Sequence, residues 1–236
     1  PNQTVRSRKQ VTEAGNEALQ RLQVEYRDLY FCHRPDPQVP IEEVVWTMNH
    51  LIQQGKILYW GTSQWSGAEI MEAHRVAQEF KLIGPSVEQP QYNMFERFKM
   101  EQDYLPVFKN MGLGTTVWSP LAAGFLTGKY NEGIPEGSRL SIKGFDWLKD
   151  RWMQDEKIRK VKKLSDLANK LALPLATLAI AWVISNPHVT TAILGATKKE
   201  QLLENLNALD AVSKLTAEVM ENIEKILENK PYLDLA

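Results

Sequence analysis

Residues 57–91 read ILYWGTSQWSGAEIMEAHRVAQEFKLIGPSVEQPQ, and the fold turns on how this stretch is parsed. ILYWGT at 57–62 is an apolar run rich in aromatic residues, the pattern of a buried strand. Residues 68–80 form the next helix, and PSVEQPQ at 85–91 returns as a strand. Strand, helix and strand in succession make a βαβ unit, whose strands run parallel through a right-handed crossover.

The same alternation extends in both directions. Upstream, Val11, Ala14, Ala18 and Leu22 recur at helical spacing, DLYFCH at 28–33 is a strand, and 41–54 is an amphipathic helix stopped by Gly55. Downstream, LGTTVWS at 113–119 and VTTAILG at 189–195 are strands. Helices are expected near 99–110, 152–171, 175–186, 198–209 and 217–228. The strands are apolar on both faces, as parallel strands buried on two sides require. Pattern alone fits an open doubly wound sheet or a barrel, and two features favour the barrel. Polar residues sit at the C-terminal ends of the strands (His33, Ser63, Gln89, Ser119, Thr197), where barrels carry their sites. A dinucleotide fingerprint is also missing, since Gly112 and Gly114 give only a G-x-G without the third glycine. The expected class is α/β, a (β/α)8 barrel with about five of eight strand units present, residues 1–236 forming a single domain. Five strands leave two unpaired edges, so a missing N-terminal segment or another chain is expected to complete the sheet.

Composition narrows the functional classes. The chain has 236 residues, 43% hydrophobic and 24% charged, with a net charge of −1 and both signs interspersed. That excludes the electrostatic footprint of a nucleic-acid or acidic-membrane binder. Cys32 is the single cysteine, which points to a reducing compartment without a disulfide framework. No apolar stretch approaches the roughly 20 residues that span a bilayer, and no signal peptide is visible, so a cytoplasmic location is expected. The sequence opens at Pro1 without a methionine, and the natural N-terminus is expected elsewhere. Residues 129–150, KYNEGIPEGSRLSIKGFDWLKD, are long for an idle connection and read as a lid.

Four constellations carry candidate chemistry. In GATKKEQLLEN, 195–205, Thr197 with Glu200 makes a capping box, and Gln201, Glu204 and Asn205 share a helix face. A helix N-terminus with Lys198 and Lys199 beside it suits a phosphate, and equally suits a solvated, well-capped surface helix. In WSPLAAGFLTGK, 118–129, Trp118 ends a strand where its ring could stack on a planar ligand. The small-residue loop after it would leave backbone amides open to a pyrophosphate, with Lys129 and Arg139 adding charge. Ser63, Gln64 and Gln89 are strand-end groups able to hold a carboxamide, or to satisfy loop backbone. His33, in CHRPDP at the mouth of its strand, could polarise a carbonyl or move a proton. Neighbouring Arg34 and Asp36 are expected to pair with each other or to cap the next helix. The other histidines, at 50, 74 and 188, have no metal-ligand spacing, so no metal is expected, and no Ser-His-Asp arrangement can be argued.

Read together, RLQVEYRDLYFCHRPDP, YWGTSQWS, VEQPQYNMF, WSPLAAGFLTGKYNEGIPEGSR, LAIAWVISNP and LGATKKEQLLENL resemble the aldo-keto reductase superfamily. The similarity is to the branch of voltage-gated potassium channel β subunits and their plant and microbial relatives. That resemblance implies an eight-stranded barrel, NADP(H) bound in extended form, small carbonyl substrates and a tetramer. It also raises a potassium channel as a possible partner. It implies that Ser63, Gln64 and Gln89 hold the nicotinamide amide and that Trp118 stacks on the ring. It implies that Ser119, Pro120, Leu121, Ala122, Ala123 and Lys129 line the pyrophosphate. Arg139, Gly195, Thr197, Gln201, Glu204 and Asn205 would surround the adenosine and its 2′-phosphate. His33 matches the histidine of the catalytic tetrad, which animal channel subunits tend to replace by Asn. Gln64 stands where channel subunits typically have Arg, and Gly137 where they have an aromatic, departures expected to loosen cofactor grip. The tetrad's Asp, Tyr and Lys belong to earlier strand units than those in this sequence. The expected function is therefore NADPH-dependent reduction of aldehydes or ketones by the intact protein, with these 236 residues alone crippled in catalysis. The alternative is a channel-associated subunit that senses redox state through bound cofactor.

Overall fold

A computed structural model describes residues 7–232. The elements follow in chain order as α1 (Arg8–Leu22), β1 (Arg27–Cys32), α2 (Ile41–Gln53), β2 (Ile57–Thr62), α3 (Gly67–Glu79) and β3 (Val87–Glu88). A π-helical turn (Lys99–Asp103) leads into α4 (Leu105–Met111), then β4 (Gly114–Trp118), α5 (Asp146–Trp152), α6 (Asp155–Lys170) and α7 (Leu175–Ile184). After β5 (Thr191–Ile193) come α8 (Lys199–Leu206), α9 (Ala208–Ala211) and α10 (Ala217–Leu227). Residues 129–150, expected as a lid, carry a 3-10 turn at Arg139–Ser141 and the start of α5, with Leu140 and Leu148 buried.

The strands hydrogen-bond in the order β1-β2-β3-β4-β5, and the first three pairs are parallel in register. A doubly wound sheet reverses its order at a switch point. Here the order climbs without reversal. Right-handed crossovers in one direction put every connecting helix on the same face, which is the winding of a barrel. The described residues fall into two compact units, 7–90 with 99–116 and 91–98 with 117–232.

In the first unit, the helix-facing side of the sheet is well sealed. Trp60 is fully buried and its indole donates to the Ile83 carbonyl at 2.8 Å. Asn49 of α2 pairs with the same backbone, donating to Ile83 O and accepting from Ile83 N. Tyr30, the register partner of Trp60, donates its hydroxyl to Val11 O of α1. Alternate residues point the other way. Leu29 and Tyr59, paired in register, are 41% and 56% exposed. This corrects the expectation that β1 and β2 are buried on both faces: with all helices on one side, the opposite face is uncovered among the described residues.

Gly61 lets β2 and β3 approach. A Cβ there would lie 2.3 Å from Val87 O and 2.5 Å from Val87 Cγ1. β3 itself is shorter than expected, two residues rather than seven, because Pro85 and Pro90 bracket it and neither can donate to a ladder.

In the second unit, α7 (LATLAIAWVI) is apolar all round and buried from Leu175 to Val183, the mark of a central core helix. Ile180 and Ala181 pack on Ala208 and Ala211 of α9, where small side chains allow close approach. Arg97 is buried and bidentate to Glu224 of α10 at 2.7 and 2.8 Å, with Asn229 Oδ1 at 3.2 Å and the Trp182 ring beneath it. Among the described residues no single helix is long and apolar enough to cross a membrane.

Two substitutions probe these contacts. Gly61→Ala should cost about 3 kcal/mol, because the clash is with strand backbone that cannot yield. Glu224→Ala should cost a similar ~3 kcal/mol by leaving a buried guanidinium without its carboxylate. Urea midpoints of the two variants against the parent check both values.

Candidate functional site

The C-terminal end of β2 turns sharply at residues 62–65, and the first unit concentrates its polar groups there. Cys32 and Thr62 are register partners, so His33 and Ser63 leave neighbouring strands at the same edge. Ser63 is buried: its amide donates to Cys32 O at 3.1 Å and its hydroxyl donates to Gln89 O at 2.9 Å. Gln89 in turn donates its amide to Thr62 O at 2.8 Å. Gln64 adopts a left-handed φ of 61°, which a non-glycine residue holds only under surrounding constraint. The structure therefore brings Ser63, Gln64, Gln89 and the exposed His33 together around adjoining strand ends. Asp36 accepts the Gln38 amide in a local turn. The cap of α2 is Pro40, without a side-chain bond, so Asp36 does not cap that helix.

The constraint on Gln64 is a carboxylate that does not belong to the expected site. Glu88 is fully buried; its Oε1 accepts from Gln64 N and, at 3.2 Å, from the Tyr104 hydroxyl, and its Oε2 accepts from Thr62 Oγ1. Tyr104 also donates to Trp65 O at 2.7 Å, and Lys99 Nζ donates to that same carbonyl at 2.7 Å. Burial pushes the Glu88 carboxyl up to about 7, against the opposing pull of Thr62, the Gln64 amide, Lys99 and Tyr104. Burial, followed by the facing Glu88 carboxylate, also drives the Tyr104 phenol far above its ordinary range. The signal lies in VEQPQ: the cost of burying a polar strand residue holds for Gln89 and more strongly for Glu88 beside it.

The second unit carries the other candidates. At the end of β4, Trp118 is half-buried and its carbonyl accepts from Tyr92 N. Ser119, Ala122 and Ala123 all have left-handed φ values of 58°, 49° and 60°, followed by Gly124 at 90°. The loop does not leave these amides open. Ala122 N bonds to Ser119 O, Ala123 N to Ser119 Oγ, and Gly124 N to Leu121 O. That corrects the expectation of an amide cradle: three donors are consumed in holding the tight turn. What the loop does present is Lys129. A Cβ at Gly124 would lie 3.0 Å from Lys129 Nζ, so glycine leaves room for the ammonium against the turn. Lys129 and Arg139 are exposed, lie near the Tyr130 and Phe145 rings respectively, and form no ion pair among the described residues.

At α8 the capping box fails. The N-cap is Lys198, with no side-chain bond, while the Thr197 amide and hydroxyl both donate to Gln201 Oε1 at 2.9 and 3.2 Å. A Gln four residues on has taken the acceptor role that Thr197 was expected to play. The expected stripe also splits. Gln201 and Glu204 are exposed, with Gly195 and Thr197, whereas Asn205 is buried.

Residues 1–228 match the aldo/keto reductase family over nearly the whole sequence. The chain belongs to that family. Two relatives are each 47% identical over 232 residues, covering 98% of this chain and 71% of their own length. They are the proteins of Arabidopsis thaliana and Oryza sativa subsp. japonica, both named as a probable voltage-gated potassium channel subunit beta. Five strands in barrel order form part of the (β/α)8 fold of this reductase family.

Glu88 makes the first unit's stability depend on pH. Its pKa is raised from 4.5 to about 7, so the protonated form favours the folded state. That contribution is complete below pH 4.5 and is lost as pH rises through about 7. Urea midpoints measured across this range should fall with rising pH in the parent and stay nearly level in Glu88→Gln.

Proposed function

We propose that this chain is the nucleotide-binding part of an NADP(H)-dependent oxidoreductase that reduces aldehydes or ketones. The observation that carries the reading is Lys129, an exposed cation seated against the left-handed loop at Gly124 with no ion pair among the described residues. Such a cation suits the pyrophosphate of a dinucleotide, and Arg139 supplies a second charge. In this assignment Ser119 through Ala123 shape the loop, and Trp118 offers its ring to the nicotinamide. Gly195, Thr197, Gln201, Glu204 and Asn205 take the adenosine. Ser63, Gln64 and Gln89 hold the carboxamide, using groups that the first unit already gathers at the β2 end. NADPH, when bound, supplies the hydride. His33 orients the substrate carbonyl and holds a proton near its oxygen. A cytoplasmic homotetramer of barrel subunits belongs to the same reading.

The relatives' names favour a second role, as an auxiliary subunit of a potassium channel that uses bound NADP(H) as a redox reporter. Joint purification of the chain with a co-expressed channel supports that role, and failure of the two to co-purify argues against it.

The test of the main reading is a fluorescence titration with NADPH and NADH. NADPH should bind more tightly, and raising the salt concentration should weaken it. Lys129→Ala should loosen NADPH about tenfold with little change in urea midpoint, because the side chain is exposed. Absence of any binding by the parent, or equal binding by the variant, would sink the reading.

A further inference from the structure

Glu88 touches none of the groups just assigned by its own side chain except one, the backbone amide of Gln64. Its position nonetheless determines where that turn lies. Thr62, Ser63, Gln64 and Trp65 are four successive residues; Glu88 holds the first by its hydroxyl and the third by its amide. Tyr104 ties the fourth to the same carboxyl by bonding both Trp65 O and Glu88 Oε1. Ser63 is held separately, to Cys32 and to Gln89, the residue that follows Glu88 in β3. The carboxyl is thus the hub on which the turn and the start of the next strand-end segment are both mounted.

We infer that Glu88 is the positioning residue for the nicotinamide end of the cofactor, setting Ser63, Gln64 and Gln89 in their carboxamide-holding arrangement. The inference rests on the NADP(H) reading above. Its chemistry follows from counting protons. Tyr104 has one hydroxyl proton and two oxygens within reach, Trp65 O at 2.7 Å and Glu88 Oε1 at 3.2 Å. With Glu88 ionised, the phenol cannot serve both. With Glu88 protonated on Oε1, the carboxyl donates to Tyr104, Tyr104 donates to Trp65 O, and Thr62 and Gln64 still donate inward. The protonated state completes a chain that the ionised state leaves one donor short. Burial raises this carboxyl into the neutral range, so both states are accessible there. The charged groups that bear on it are Lys99 from the π-helical turn and Tyr104 at the start of α4, with Asp103 and Glu69 facing Tyr104 in turn.

Glu88→Gln separates this role from simple scaffolding. The amide keeps the shape but offers a single acceptor oxygen to donors that now meet two. The experiment measures dissociation constants for NADPH and for 2′,5′-ADP, which lacks the nicotinamide, together with the urea midpoint. It is run at pH values on either side of about 7, where the carboxyl titrates. The expected result is about tenfold weaker NADPH, unchanged 2′,5′-ADP, and loss of the pH dependence of NADPH binding that the parent shows. Tyr104→Phe, which leaves Trp65 O with its Lys99 donor, should move NADPH in the same direction by about threefold. It keeps the test available if Glu88→Gln folds poorly. Equal weakening of both ligands, or no weakening of either, overturns the positioning role while leaving NADP(H) binding intact. Failure of the parent to bind NADPH at all overturns the functional reading, and this inference with it.

Discussion

The handedness of a parallel crossover is the constraint from which the other features descend. A right-handed βαβ connection repeated without reversal must lay its helices on one side of the sheet. The consequences in the first unit are concrete: Trp60 is fully buried and Tyr30 is half-buried with its hydroxyl bonded to α1, while their alternating neighbours Leu29 and Tyr59 are exposed. The same winding delivers every strand's C-terminal end to one edge, so that residues distant in sequence, such as His33, Ser63 and Gln89, leave the sheet side by side. A polar edge above an apolar sheet is what this class of fold offers to chemistry.

In each unit the strand-end turns are built under strain rather than from relaxed geometry. Gln64, Ser119, Ala122 and Ala123 all occupy the left-handed region without being glycine, and each such residue costs on the order of 1 kcal/mol. The surroundings over-determine them. Glu88 grips the amide of Gln64, and Ser119 grips two amides of its own loop. Turns fixed in this way hold their side chains at defined positions before any ligand arrives, which lowers the entropy lost on binding.

Much of this was legible in the sequence because it depends on local pattern. ILYWGT announced β2 to the residue, and Gly55 marked the end of α2, where φ is 68°. The failures arose where a single residue's backbone chemistry overrode periodicity. Residues 99–110 read as one helix, but Pro106 has no amide to continue the ladder, so the chain widens to a π turn and restarts at Leu105. Residues 152–171 read as one helix, and α6 (Asp155–Lys170) occupies nearly all of them; the unexpected helix is α5 (Asp146–Trp152), which begins in the stretch read as a lid and ends where Met153, at ψ 51°, leaves the helical region. Among site residues, Ser63, Gln64 and Gln89 were visible as polar groups at strand ends. Glu88 carried the same local signal, a charged residue in a buried strand, but its partners Thr62, Gln64 and Tyr104 converge only through tertiary structure, so its role at the turn was not readable. Thr197 misled for the opposite reason: it has the form of a cap, but Gln201 competes for its donors.

The Arg97–Glu224 pair bears on how the polypeptide is made. Its two ends are 127 residues apart, and Arg97 is enclosed almost completely once they meet. During vectorial synthesis Arg97 emerges long before the carboxylate that neutralises it, so the pocket around Trp182 cannot close over a guanidinium still lacking its partner. The second unit therefore stays open until α10 has emerged, which leaves α7's apolar surface uncovered in the interval between its own synthesis and that of α10. A chain assembled in that order places its greatest demand on chaperones late, just before its last helix docks.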